Sequence, residues 1–425
     1  MTDQEPKVPC VGEVDEHKGE WIDMIFTDSD SSAENSDDEP SVKIVRWENI
    51  NLNNSQHMKE LRVFLYNNYT LTSPDYAPDF SEKFLSWALQ PTGYDPRYHF
   101  GLRDENNYLV AFIGAVPQMI RLGQQKRRAL TVMIMCSKRS DNVHEDYTVE
   151  MLNEMVNRGN GEQINYAIFT GTYKRHFYKS VAQLPLYERY LNVERLVESG
   201  YLSLTPDAKA ALLAQQQELV ELPLLAGVRP LSTDPANADT LLALRWIDKD
   251  NLRENHGDEM KNRKWYRMTY DRFLTSTADY PTVVTPIEGV ISSFFVEKPQ
   301  RQQPASYPFV SDFVSFYKVR QVSRQNPNAP PIMTAFLFHH AITPDTAENP
   351  WVTHTADLIG VAVKKAMEEG CDLFVATHMK DMGRALRDFQ CVRMMQNKQK
   401  LYKRYYMFNG NFRNVNPKEV SLCLL

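Results

Sequence analysis

The group in this sequence best placed to do chemistry is not a side chain but the carboxylate at its far end. The last eight residues, Lys418-Glu419-Val420-Ser421-Leu422-Cys423-Leu424-Leu425, alternate and then run apolar. Termini are usually solvated and loosely held. A run this apolar points instead to a buried final strand, which takes the α-carboxylate of Leu425 inside with it. A carboxylate in a dry site is either paired or driven toward its neutral form, and is then a candidate base. The plain alternative is a last strand that only completes a sheet. Prenylation fails on register, because Cys423 stands third from the end and the motif needs the fourth position.

Other constellations are weaker. His339 and His340, with His354 and Asp357, have the residue types of a metal site. Adjacent histidines on a strand point to opposite faces, so at most one could join a cluster, and no metal is expected. No nucleophile elbow, phosphate-binding loop, dinucleotide fingerprint or zinc-finger spacing occurs. Five scattered cysteines (Cys10, Cys136, Cys371, Cys391, Cys423) point to a reducing compartment. The N-terminus reads as neither a signal peptide nor a myristoylation site, and no apolar run approaches a membrane span. A cytoplasmic protein without a transmembrane segment is expected.

The chain has 425 residues, 42% of them hydrophobic and 11% aromatic, and a net charge of −6. Its acidity is local: residues 1–42 hold thirteen Asp and Glu against two Lys, and the remainder is mildly basic. That balance permits an anionic ligand but gives no nucleic-acid surface. Residues 1–42 read as a disordered acidic tail, with Trp21, Met24, Ile25 and Phe26 able to dock on the body. Its serines are candidate phosphorylation sites or part of a solvated spacer.

The elements that must position any site follow from periodicity. Helices are expected at 58–66, 82–89 and 149–156, with strands at 99–103, 109–116, 118–122, 129–136 and 166–170. A second cycle has helices at 238–248 and 353–369, an amphipathic segment at 265–274, and strands at 283–290, 291–296, 309–319, 332–340 and 373–377. The segment from Gln215 reads as a surface helix or connection. Helix, helix, antiparallel strands, helix, strand thus occurs twice, the pattern of two copies of one α/β unit.

Several segments resemble the N-myristoyltransferases, a family built from two fused acetyltransferase-like halves. The run Phe84-Leu-Ser-Trp-Ala-Leu-Gln-Pro-Thr-Gly93 with His99 and Gly101 is similar to the family's F-L-x-W-A-L-x-P-P-G and W-H-x-G-V-R. Leu109-Val-Ala-Phe-Ile-Gly-Ala-Val-Pro117, Ala226-Gly-Val-Arg-Pro230, Val310-Ser-Asp-Phe-Val-Ser-Phe-Tyr317 and Gly370-Cys-Asp-Leu-Phe374 match further motifs in the family's order. The resemblance implies an α/β fold of two fused GNAT-type halves with a pseudo-twofold relation. It divides the chain into the tail 1–42, an acyl-CoA-binding half at 43–222 and a peptide-binding half at 223–425.

It also implies an activity: transfer of myristate from myristoyl-CoA to the N-terminal glycine of peptides or proteins, with no tightly bound cofactor. The terminal carboxylate, here that of Leu425, would take the proton from the glycine ammonium, freeing the amine to attack the thioester. The match to the family's E-I-N-F-L-C-V is Thr131-Val-Met-Ile-Met-Cys-Ser137, so the amides of Ile134 and Met135 would hold the oxyanion at a bulge. An ordinary buried core strand explains the same residues. Met135, Cys136, Ser137, Lys138 and Arg139 would bind the CoA thioester. Thr170, Tyr187, Tyr405 and Asn409 would line the substrate channel, or simply pack. Ribosome or membrane association through the tail is a further expectation.

The departures from the family fall on its grips. Asn142-Val-His-Glu-Asp-Tyr147 replaces a basic stretch that binds the CoA phosphates, leaving Lys138-Arg139 or Lys126-Arg127-Arg128 as substitutes. Asp75 and Tyr76 stand for a longer acidic and aromatic loop, and Glu188 occupies an imidazole position. Residues 388–397 replace the glycine loop K-F-G-x-G-D-G, and no segment matches the N-terminal F-W-x-T-Q-P-V. A catalytically inactive relative that binds an acyl chain, a peptide or a partner protein is the competing expectation.

Overall fold

The computed structural model describes residues 21–24, 43–91, 93–122, 125–138, 147–162, 164–172, 180–223, 225–231, 274–276, 284–297, 310–342, 350–379, 382–396 and 398–409, with positions 415, 416, 420, 422, 424 and 425. Strands of the first part are β1 (Trp21–Met24), β2 (Lys43–Asn49), β3 (Tyr76–Asp79), β4 (His99–Asp104), β5 (Leu109–Leu122), β6 (Gln125–Ser137), β7 (Ala167–Gly171) and β8 (Ala182–Tyr190). Then come β9 (Val228–Pro230), β10 (Leu274–Ser276), β11 (Ile291–Glu297), β12 (Val310–Ser323), β13 (Ile332–Ile342) and β14 (Leu373–Thr377). Short strands β15 (Val392–Arg393), β16 (Met395–Gln396) and β17 (Gln399–Lys400) precede β18 (Tyr402–Phe408). Helices are α1 (Ser55–Asn68), α2 (Glu82–Leu89), α3 (Thr148–Gly159), α4 (Val193–Glu198), α5 (Pro206–Glu221), α6 (Pro350–Glu368) and α7 (Gly383–Asp388).

Local sequence sets the helix starts. The Asn54 side chain accepts hydrogen bonds from the amides of Gln56 (2.8 Å) and His57 (3.3 Å), closing the open end of α1. Ser81 does the same for α2 by accepting from the Phe84 amide at 3.1 Å. Met58, Leu61, Phe64 and Leu65 form the buried stripe of α1, and Phe84, Leu85, Ala88 and Leu89 that of α2.

One large sheet runs in the order β1-β2-β4-β5-β6-β7-β18-β8-β14-β13-β12-β11-β9. A unit is repeated within it. Antiparallel β4, β5 and β6 lead through α3 to β7, which is parallel to β6. Antiparallel β11, β12 and β13 lead through α6 to β14, parallel to β13. The two units exchange strands at their seam: β8 pairs with β14 of the second unit, β18 pairs with β7 of the first, and β18 and β8 pair with each other. The α/β architecture expected from the doubled pattern is therefore present as a repeated unit in a continuous sheet.

Each unit bends the strand before its crossover. In β6, Ile134 faces Gly114 and Val132 faces Ala115, leaving Met133 as an extra residue. In β13, His340 faces Val314 and Leu337 faces Phe316, which puts the extra residue at Phe338–His339. These are β-bulges, which re-aim the backbone and break the ladder locally. At the second, Ser315 fills the gap: its hydroxyl accepts from the His339 amide (3.0 Å) and donates to the His339 carbonyl (3.1 Å).

Several sequence expectations are corrected. The two strands expected at 109–116 and 118–122 are one strand, β5, which continues through Pro117 opposite Leu130. Residues 284–290 are a turn rather than a strand, because Pro286 and a left-handed Gly289 (φ 76°) reverse the chain onto Ile291. Trp21–Met24 lies within the segment read as a disordered tail, but pairs antiparallel with β2, in keeping with the docking expected of Trp21 and Met24. The expected helix at 238–248 lies outside the described residues.

Gly101 tests the β4–β5 register. A Cβ there would sit 2.5 Å from the Ala111 carbonyl oxygen and 2.5 Å from Leu109 Cδ1. Gly101→Ala is expected to destabilise the protein by roughly 1–3 kcal/mol through overpacking. A lower urea midpoint at unchanged slope is the expected result, and an unshifted midpoint contradicts this packing.

Candidate active site

The described residues at the chain end are buried. Val420, Leu422, Leu424 and Leu425 are 0%, 0%, 3% and 8% exposed, yet Leu422, Leu424 and Leu425 have no strand assignment. Val415 makes a parallel bridge to Ala182. The expected terminal strand is therefore not assigned at Leu422, Leu424 and Leu425, whereas Val420 lies in a β-bridge, and side chains of the sheet hold the segment. The Tyr405 hydroxyl donates to the Leu422 carbonyl (2.7 Å), Lys403 Nζ donates to the Leu424 carbonyl, and Thr170 Oγ1 donates to the Leu425 oxygen at 3.1 Å.

The strands explain that convergence. Thr170 lies opposite Tyr405 across β7 and β18, and Tyr405 lies opposite Ala182 across β18 and β8. Lys403 is two residues from Tyr405 and opposite Leu184, so all five share one face of the seam. Val420, Leu422 and Leu424 belong to the hydrophobic cluster containing Ala182, Leu184 and Tyr405. Leu425 belongs to the next cluster, with Ile134, Cys136 and Leu186. Met133, the extra residue of the β6 bulge, packs against both clusters.

The expected oxyanion strand is thus β6, with Ile134 buried and Met135 half-buried just past the bulge. Cys136 is buried and Ser137 is half-buried. Lys138 is exposed, with its amide donating to the Val110 carbonyl at 2.7 Å. Arg139 lies outside the described residues, as do positions 142–146. Arg128 pairs with Glu162 at 2.9 Å, so part of the alternative basic cluster is engaged internally.

Among the channel candidates, Thr170 and Tyr405 contact the chain's own terminal segment. Asn409 is exposed, in a left-handed turn (φ 56°) at the end of β18. Tyr187 alternates with Leu186 and Glu188 along β8 and turns to a different set of neighbours. Its ring meets His378 edge-on at 6.0 Å, and the Arg393 guanidinium lies 5.3 Å from its centroid. Arg393 also stacks on Tyr402 at 4.6 Å. This is the segment that replaces the glycine loop.

Glu188 is buried. Its carboxylate accepts from Tyr201 (2.7 Å) and Tyr190 (3.0 Å), while burial pushes its pKa up more strongly than those donors lower it. Reading the sequence singled out Glu188 but neither tyrosine, and it missed Lys403. The signal for Lys403 was a period-two pattern with Tyr405 in a strand, β18, that went unrecognised. His339 and His340 are buried in β13, and no group of three or more His, Cys, Asp or Glu side chains gathers among the described residues.

Comparison with known proteins decides the family. The model for Myristoyl-CoA:protein N-myristoyltransferase, N-terminal domain, matches residues 27–181, and that for the C-terminal domain matches residues 198–421. The chain belongs to the N-myristoyltransferase family. It is 25% identical over 380 residues to glycylpeptide N-tetradecanoyltransferase 2 of Danio rerio, covering 89% of this chain and 69% of that protein. It is also 25% identical over 382 residues to the probable glycylpeptide N-tetradecanoyltransferase of Caenorhabditis elegans, covering 89% and 76%. Its fold matches crystal structures of Saccharomyces cerevisiae N-myristoyltransferase with bound myristoyl-CoA. One has a TM-score of 0.72 at 19% identity, over 97% of this chain and 92% of that one. A second gives 0.71 at 18%, over 97% of each. The N-myristoyltransferase family is one of acyltransferases, and the fold here is its fold. Among the described residues no helix is long and apolar enough to cross a membrane.

Proposed function

We propose that this chain transfers a myristoyl group from myristoyl-CoA to the amino group of an N-terminal glycine. The observation that carries the reading is that Leu425 and Ile134 lie in one hydrophobic cluster, with the Leu425 oxygen held by Thr170 beside the bulged strand. The Leu425 carboxylate takes a proton from the glycine ammonium, and the amine then attacks the thioester carbon. A C–N bond forms, and the oxyanion rests on the amides of Ile134 and Met135. Collapse breaks the C–S bond and expels the CoA thiolate, which takes up the second proton lost by the attacking nitrogen as the amide forms. In this reading residues 43–222 bind the acyl-CoA, with Met135 to Arg139 along its path, and residues 223–425 bind the peptide. The protein works in the cytoplasm, and the acidic tail is its link to ribosomes or membranes.

A second reading, binding without transfer, draws on the Arg393 stack. A guanidinium between Tyr187 and Tyr402 occupies the segment where the family has a flexible glycine loop and an acid. Calorimetric titration with myristoyl-CoA, followed by transfer assays on a panel of glycine-starting peptides, separates the two. Binding with transfer is expected. Binding with no transfer to any peptide selects the second reading, and no detectable binding at high micromolar thioester removes the first.

A further inference from the structure

We infer that Lys403 is a positioning residue: its ε-ammonium grips the Leu424 carbonyl and so fixes the chain end against the bulged strand. The inference rests on the proposed use of the Leu425 carboxylate, and it adds the group that keeps that carboxylate in place.

Among the described residues of the terminal segment, Val415 bridges Ala182 and Val420 lies in a β-bridge, while Leu422, Leu424 and Leu425 carry no strand assignment. Three side-chain donors among the described residues reach this stretch, and they are not equivalent. Tyr405 holds Leu422, three residues short of the end, through a neutral hydroxyl. Thr170 holds the Leu425 oxygen, also through a neutral hydroxyl. Lys403 alone brings a full charge, and charge-assisted hydrogen bonds are about twice as strong as neutral ones.

Its place on the sheet makes this specific. The seam face that receives the tail includes Thr170, Tyr405, Ala182, Lys403 and Leu184. Four of these are uncharged. A lysine among them, half-buried and aimed at the carbonyl of a residue that is 3% exposed, must earn its desolvation from something negative. The Leu424 carbonyl dipole supplies part of this, and holding that carbonyl fixes the residue next to Leu425. Lys403 thus stands on the tail's own side, distinct from the stack of Arg393 and Tyr187.

The test compares Lys403→Met, Lys403→Arg and Thr170→Val with the unmodified chain. Leucine release by a carboxypeptidase reads the held end directly and needs no transfer activity. Cleavage follows the open population of the terminus, so Lys403→Met is expected to release leucine about tenfold faster, at an unchanged melting midpoint. Lys403→Arg should restore slow release, and Thr170→Val should accelerate it independently. In the transfer assay Lys403→Met should lower kcat about tenfold with the KM for myristoyl-CoA unchanged, because the lost term is orientation of the base. Unchanged leucine release in Lys403→Met overturns the inference. A wild-type chain that transfers nothing removes the proposed function instead, while the release assay still decides what Lys403 holds.

Discussion

Appending a single alanine after Leu425 is expected to abolish acyl transfer while leaving the melting transition in place. The Leu425 side chain is buried with Ile134 and Leu186, and its oxygen already accepts the Thr170 hydroxyl. An amide at that position can accept the same hydrogen bond, so the fold keeps its contact. It cannot accept a proton from an ammonium, so the reaction loses its base. Removing a positioned general base lowers rates by about 10²–10⁴-fold. Single-turnover rates for myristoyl transfer to a glycine-starting peptide, with circular dichroism melts alongside, check both halves of the prediction. Undiminished turnover would refute the base assignment outright.

Stability is expected to fall steeply between pH 6.5 and pH 4, and much of the loss should trace to His99. This imidazole is fully buried in β4, with Nδ1 3.1 Å from the Asp95 carbonyl and its ring 4.8 Å from that of Tyr94. Burial disfavours the cation and lowers its pKa to about 4, against the Asp95 carbonyl, which raises it. An unfolded histidine titrates near 6.5. The unfolded chain therefore binds the proton first as pH falls, and folding free energy is lost from about pH 6.5 down to about pH 4. The full window corresponds to roughly 3 kcal/mol. Urea unfolding of wild type and His99→Gln at pH 7.5 and pH 4.5 isolates the contribution. The expected result is a smaller pH-dependent loss in the variant, and equal losses in both would show that His99 is not the group responsible.

What the sequence made legible divides by the range of the interactions involved. Capped, striped helices such as α2 could be read residue by residue, because Ser81, Phe84, Leu85, Ala88 and Leu89 lie within one short segment. The doubled α/β pattern was legible for the same reason: α3 and α6 are amphipathic, and the strands around them are strongly apolar. β8 and β18 were not. Their residues, such as Gln183, Glu188, Lys403 and Arg404, are mixed in polarity because one face meets the tail and another meets the Tyr187 stack. No local pattern announces a strand whose partners lie in the opposite unit.

The site was legible in the same uneven way. Leu425 could be singled out from apolarity and position, and the β6 bulge from resemblance. The residues that hold Leu425 could not be assigned to it. Thr170 and Lys403 are separated from the terminus by long stretches of chain and converge only through the strand exchange. Glu188 was visible as an unexpected acid, but its partners Tyr190 and Tyr201 gain meaning only once burial brings three polar groups together.

The exchanged strands also govern how such a chain can be made. β7, the last strand of the first unit before the seam, takes β18 as its neighbour, and β18 is encoded more than two hundred residues later. At synthesis rates of about 5–20 residues per second, the edge of β7 emerges from the ribosome roughly 10–45 s before its partner exists. During that interval it presents unpaired amides and carbonyls to any other strand nearby. The first unit cannot finish folding on its own schedule.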